Sequence, residues 1–532
     1  MTSFADTLLV GASVRTLDSR HPRAFAVAVT GGTIVGLDQD ALDLRGASTE
    51  VIDLSDATLV PGLVDGHSHP LLGATAFDGI DLSGLQGLDG LRAALSGAPI
   101  GRDEWLCGFG LDHNLFGGEQ PTNALLDEVL PGVPVFIRMY DGHSALASSA
   151  ALERAGVHGS RGFEQRSQVV CDDHGRPTGL LLEHAAMDVV ESVVPPMPAE
   201  QRRARVLEVL QAMAATGLTG VNMMDGSQES LDLLTDLEGR ADLPVRLRLA
   251  PWCMPGDDVV ELVDLQGRSG RNWYVGAVKL FLDGTVEGGT AWLQEPDCRG
   301  GGTDAFWLDT AEYTKVVHHF AAAGVQTCTH AIGDAATRQV VDTLDGVPTQ
   351  GIRHRVEHLE TMPIDLVHRV VRAGLVASMQ PTHAAFTRAD HADEWSRRLG
   401  EDRANRAWAC RDVREAGGVL VLGSDWPIAH YDARAVLSFA RSRRPLDTDR
   451  APVRADQALT GLMALEGMTS HAALADGHAG SAGRVAVGCR ADLTALAVDP
   501  VDAPADEVAV APVRLSMLGG AVTHRDETGG PR

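Results

Sequence analysis

The residue types able to do chemistry fall at the ends of apolar runs. One run, Pro61-Gly62-Leu63-Val64-Asp65-Gly66-His67-Ser68-His69-Pro70, closes on two histidines two positions apart. In an extended segment positions i and i+2 share a face, so His67 and His69 can present both imidazoles to one divalent ion. Taken alone, such a pair is equally compatible with packing. Lys279 lies inside Val278-Lys279-Leu280-Phe281-Leu282. Burial disfavours the ammonium form and should lower its pKa, and a neutral amine can condense with carbon dioxide to a carbamate whose two oxygens bridge two ions. The bland alternative is a lysine that snorkels from a strand end. Val325 to Thr329 leads into His330, Arg355-Val356-Glu357 leads into His358, and Val419 to Leu422 leads into Gly423-Ser424-Asp425-Trp426-Pro427. A lone aspartate past a strand is as often a helix N-cap as a ligand. As a set, imidazoles and anionic oxygens suit zinc or a similar divalent ion, one or two of them.

These residues need a scaffold that brings strand ends to one place. Eight strand candidates follow one another with helical patterns between them: Thr58 to Val64, Leu218 to Met223, Val245 to Ala250, Ala277 to Leu282, Val325 to Thr329, His354 to Glu357, Leu375 to Met379 and Val419 to Leu422. Eight is the number a closed barrel of the (β/α)8 TIM type requires, and its sites lie at the C-terminal strand ends. About 150 residues separate the first candidate from the second, too many for a loop, so an inserted subdomain is expected over about 75–215. Its signals are Trp105 to Gly110, Val135 to Tyr140 and a helix over Ala199 to Ala215 opened by Pro198.

The two ends of the chain read differently. Thr7 to Val10, Ala24 to Val29, Thr33 to Val35 and Glu50 to Leu54 are short apolar runs between turn signals. Gly483 to Val485, Ala491 to Leu496 and Val513 to Val522 repeat that texture. Residues 1–58 and 481–532 are therefore expected to pair into a small β-sandwich around a barrel of residues 59–480, with Asp526 to Arg532 as a frayed tail. The fold class is α/β.

With 45 Lys+Arg against 72 Asp+Glu, the formal net charge of −27 repels phosphate backbones and anionic lipid. Nucleic acid and membrane are not expected as partners; a small-molecule substrate is, with the choice between a single chain and a homodimer left open. The seven cysteines are scattered, odd in number and never in a CxxC pair, which argues against a disulfide framework or a thiolate zinc site. No basic, apolar leader opens the sequence and no run approaches a membrane span, so a soluble cytoplasmic protein is expected.

Beyond PGLVDGHSHP, the chain carries Asp141-Gly142-His143-Ser144-Ala145, a Gly175 to Leu180 segment ending at Glu183, VKLFLDGT from Val278 to Thr285, and Glu287-Gly288-Gly289-Thr290-Ala291. THAIGD, RVEHLE, Ser378 to His383 and GSDWP complete the set. In these motifs it resembles the amidohydrolase superfamily (amidohydrolase family 3), and within it the YtcJ-like group that includes N-substituted formamide deformylases. The resemblance implies that His67, His69, His330 and His358 bind metal, that Lys279 is a carbamylated bridge, and that Asp425 is both ligand and proton carrier. It departs at Cys489-Arg490, where relatives place a lysine-bearing turn.

The function expected on this basis is attack of metal-activated hydroxide on an amide or N-substituted formamide, with Asp425 as general base and then general acid and His143 holding the carbonyl oxygen. Glu287, His383 and Trp426 are pocket candidates. The same metal set could act on a lactone, a phosphoester or an amidine, or serve a cyclisation or dehydration.

Overall fold

The computed structural model describes residues 4–76, 79–348, 351–446 and 448–526, so the tail beyond Asp526 lies outside the described residues. Strands from both ends of the chain join one sheet. Thr7–Arg15 pairs antiparallel with Arg23–Thr30 and parallel with Thr58–Pro61, and Thr58–Pro61 pairs antiparallel with Leu493–Leu496. The hairpin of Val513–Leu518 and Ala521–Arg525 extends that sheet. Its apolar residues, Leu9, Val27, Ile52, Leu59, Leu493 and Leu515 among them, pack into a core of their own.

Two sequence expectations change here. Gly483 to Val485 is not a strand: Gly483 has φ +73°, and Val485 makes a single backbone bond, to Thr16 O at 2.8 Å, before the chain turns. The expected first strand, Thr58 to Val64, is two strands. It breaks at Gly62, passing from the terminal sheet (Thr58–Pro61) to a parallel sheet that begins with Leu63–Ser68. Pro61 has no N–H to continue the ladder, and Gly62 N instead donates to Asp492 O at 2.8 Å. A Cβ on Gly62 would lie 2.2 Å from Thr219 Oγ1 and 2.9 Å from the Asp492 carbonyl carbon. Gly62→Ala is therefore expected to destabilise the protein by about 1–3 kcal/mol, as overpacking does elsewhere, read as a lower urea midpoint at unchanged slope; an unmoved midpoint would show that the crossing has room.

The parallel strands form two sheets. One has the order Trp273–Val275, Arg246–Leu249, Leu218–Met223, Leu63–Ser68, and the other runs Val278–Phe281, Thr327–Ala331, Arg355–His358, Val376–Met379, Val419–Leu422. Hydrogen bonds cross both gaps between them. Lys279 N donates to Pro251 O (2.9 Å) and Cys253 N to Lys279 O (2.8 Å); on the other side Asp425 N donates to His67 O (2.7 Å) and His69 N to Trp426 O (2.8 Å). Trp273–Val275 is an element the sequence reading passed over. Helices follow the strands and bury one stripe against them: Gln228–Arg240, capped by Ser227, turns Leu231, Leu234 and Leu237 into the main core.

Between Leu63–Ser68 and Leu218–Met223 lies a separate six-stranded sheet that includes Leu106–Leu111, Val135–Met139, Ser144–Ala147 and Pro177–Leu182. The helix Ala199–Ala215 begins after Pro198 as its sequence implies and buries Val206, Leu210 and Met213. No helix among the described residues is long and apolar enough to cross a membrane.

Candidate metal centre

Parallel strands put their C-terminal ends on one side, and the side chains delivered there converge on Asp425. Asp425 follows Val419–Leu422 and takes a left-handed backbone, φ 56°; His358, the last residue of Arg355–His358, does the same at φ 76°. Non-glycine residues in that region cost on the order of 1–3 kcal/mol each and concentrate at functional sites.

His67 Nε2 lies 3.4 Å and His69 Nε2 3.1 Å from Asp425 Oδ1, while His358 Nδ1 and His383 Nε2 lie 3.8 Å and 3.7 Å from Asp425 Oδ2. The far nitrogens of the first two rings are held by acids. His67 Nδ1 donates to Glu357 Oε2 at 2.7 Å and His69 Nδ1 to Asp225 Oδ2 at 3.0 Å. An ionised carboxylate can only accept, so the proton sits on each Nδ1; this leaves the neutral His67 ring a lone pair on Nε2 aimed at the centre, while His69 Nε2 faces Asp425 Oδ1 and would give up its proton to a cation bound there. Glu357 is itself gripped by Arg355, whose Nε and Nη2 donate to its two oxygens at 2.8 and 3.1 Å. Burial opposes its ionisation, but Arg355 and His67 hold it well below the usual carboxylate range.

Lys279 is buried, with Nζ 3.5 Å from His67 Nε2 and 5.2 Å from the centre of the Phe281 ring. Burial pushes its ammonium down, although Glu357 and Asp425 oppose the shift. His67 is driven down to about 4 by burial and then by Lys279; His69, despite burial, is raised to about 9 by Asp225 and Asp425. Asp425, despite burial, is held well below the carboxylate range by His67 and His69.

The donor atoms fit a divalent cation. Those of His67, His69 and Asp425 all lie within 4.8 Å of one another, and so do those of His358, His383 and Asp425. His358 Nδ1 and His383 Nε2 are buried without a hydrogen-bond partner, a costly state that a cation among them would relieve. His330 joins neither trio; its ring stands 4.3 Å from that of His358, and its Nε2 donates to Gly284 O at 3.1 Å.

The remaining sequence candidates separate. His143, Glu287, His383 and Asp425 line one small pocket with His330 and His358. His143 Nδ1 donates to Glu183 Oε2 at 2.8 Å, and Glu183 raises its pKa against the effect of burial. Glu287 accepts from the Tyr140 hydroxyl and is pushed up to about 8 by burial and by the charge of Glu360. Trp426 stands apart from the donors. Its ring meets Tyr431 and lines a larger cavity of about 890 Å³, which shares Tyr140, Phe386 and Ile428 with the small pocket.

Sequence reasoning missed Asp225, Glu357 and Glu360, the acids behind the histidines. Asp225 carried the same signal as Asp425, an acid just past an apolar strand. Arg355 and Glu357 are two apart in a strand and so share a face.

The model of the amidohydrolase family matches residues 50–524. The chain is 28% identical over 551 residues to the N-substituted formamide deformylase of Arthrobacter pascens, covering 98% of this chain and 99% of that protein. It is 28% identical over 541 residues to protein LONG AFTER FAR-RED 3 of Arabidopsis thaliana, covering 97% and 91%. Among solved structures, an uncharacterized metal-dependent hydrolase from Pyrococcus horikoshii OT3 shares the fold with a TM-score of 0.72 at 22% identity, over 94% of this chain and 99% of that one.

Proposed function

The chain belongs to the amidohydrolase family and is a hydrolytic enzyme; from that premise we propose that it cleaves a non-peptide C–N bond, in an amide or an N-substituted formamide, at a divalent-metal centre. The observation that carries this reading is the convergence of His67, His69, His358 and His383 on the single carboxylate of Asp425. The bonds across both gaps between the parallel sheets support one closed (β/α)8 barrel over 59–480, with the insertion at about 75–215 and the flanking β domain of 1–58 and 481–532.

His67, His69 and Asp425 would hold one ion; a second would fall to His358 with His330, as the family resemblance has it, and with His383, whose Nε2 also faces Asp425, while Lys279 would serve as a carbamate ligand; zinc suits these donors. A metal held there supplies Lewis acidity, polarising a carbonyl and making water acidic enough to act as nucleophile near neutral pH. Asp425 is the group placed to take a proton from the attacking water and to return it to the leaving nitrogen, which it would do because an amine leaves poorly unless protonated. His143, with Nδ1 committed to Glu183, turns its Nε2 to the substrate carbonyl oxygen. Glu357 and Asp225 keep the His67 and His69 rings in the orientation this requires.

The test is turnover of formamides, cyclic amides, lactones and phosphoesters by protein of measured metal content. Amine release from a formamide or amide is expected, falling by at least an order of magnitude on chelation and returning with zinc. Faster turnover of a lactone or phosphoester would move the reaction to that bond. Full activity in protein free of divalent metal would remove the metal centre from the mechanism.

A further inference from the structure

A second polar cavity lies at the opposite, N-terminal end of the parallel strands, away from Asp425. Its volume is about 50 Å³, and its walls include Arg246 and Arg248 from Arg246–Leu249, Arg490 and Asp492 from the approach to the terminal sheet, and Asp476 and His478. That is room for one small ion or a few waters, not for a metabolite.

The charges in its wall do not balance. Three guanidinium groups, Arg246, Arg248 and Arg490, face two carboxylates, Asp476 and Asp492. His478 adds no acid, and burial followed by the nearby Arg490 disfavours its protonated form. Arg248 is 5% exposed; its Nη2 donates to Gly276 O at 2.5 Å and to Gln326 Oε1 at 2.8 Å. Its Nε and Nη1 have no hydrogen-bond partner, because the nearest carboxylate oxygen, Asp476 Oδ1, stands 3.6 Å from Nε. The buried Nε of Arg246 is also unpartnered, while its Nη2 and the Nε of Arg490 share Asp492, at 3.4 Å from Oδ1 and 3.1 Å from Oδ2. Burying a charged donor without an acceptor is among the costliest arrangements a fold can hold.

We infer that this cavity binds one small monovalent anion, with a flat oxyanion of the size of formate or bicarbonate matching the guanidinium forks. Such an ion cancels the surplus positive charge and supplies acceptors to the idle Nε–H and Nη1–H groups. It would also tie together three parts of the chain that line this cavity: the strand Arg246–Leu249, the segment around Asp476, and the Arg490 to Asp492 approach to the terminal sheet. Its role is therefore structural, and it is independent of the reaction proposed at Asp425.

The experiment is thermal unfolding of the full-length protein in formate, bicarbonate, bromide or the bulky anion gluconate at constant ionic strength, with a crystal soaked in bromide. Tm is expected to rise with formate, bicarbonate or bromide over gluconate, in a saturable way, and bromide to give an anomalous peak in the cavity. Arg248→Met, or Arg490→Ala if the first variant does not fold, should abolish the difference between anions. A Tm indifferent to anion size, or a cavity holding only water in the bromide crystal, would overturn the inference.

Discussion

Asp425→Asn is expected to lower kcat by about 10²–10⁴-fold, the range set by a positioned acid–base group, while the fold survives. The amide is isosteric with the carboxyl group, and asparagine tolerates the left-handed backbone at φ 56° that Asp425 occupies. What disappears is charge. His67 and His69 reach Asp425 Oδ1 at 3.4 and 3.1 Å, and only an anion can both hold a cation beside them and shuttle a proton. Two causes of the loss are therefore distinguishable. If the variant binds less metal, saturating zinc should restore occupancy, and the kcat that remains depressed at full occupancy measures the proton transfer. Asp425→Glu makes a sharper comparison, since it restores charge one methylene out of place and should recover metal sooner than turnover. Wild-type kcat in Asp425→Asn at full metal content would remove Asp425 from the proton path and leave it a ligand only.

His67, His69, His330 and His358 were legible because each stands at the end of an apolar strand, a place where a polar residue needs a reason, whereas His383, in the turn Pro381–Phe386, was marked only by the motif it closes. The same rule does not say which groups stand behind them. Glu357 lies within Arg355–His358 and is fully buried, so local sequence marks it as part of a strand but not as the partner of His67, 290 positions away. Asp225 is separated from His69 by the whole inserted sheet. Pairings across such distances are decided by strand order, which hydrophobic periodicity does not encode. The split at Gly62 escaped for a related reason. Thr58 to Val64 reads as one strand in sequence, and its division between two sheets follows from what Thr219 and Asp492 leave room for. Trp273–Val275 was missed because three residues are too few to register as a periodic run.

Lys279→Met should separate stability from activity, with opposite signs for the two. Methionine has nearly the length of lysine without the charge, and Lys279 sits fully among buried groups in Val278–Phe281, where burial already pushes its ammonium down. Removing a charge that burial disfavours releases a desolvation cost, so Tm of the metal-free variant is expected to match or exceed that of the metal-free parent. Turnover should nonetheless fall by at least as much as in Asp425→Asn. The reason is positional: Nζ is 3.5 Å from His67 Nε2, so a carbamate formed there would stand beside the histidine donors and offer the cation an anionic partner. Carbamylation converts a group that repels cations into one that binds them, and methionine forecloses it. The signature is metal stoichiometry together with the carbon-13 signal of protein equilibrated with labelled bicarbonate, both of which should drop in the variant. A Lys279→Met protein that keeps full turnover and two metals per chain would make Lys279 an ordinary buried lysine and leave the histidines and Asp425 to hold the centre alone.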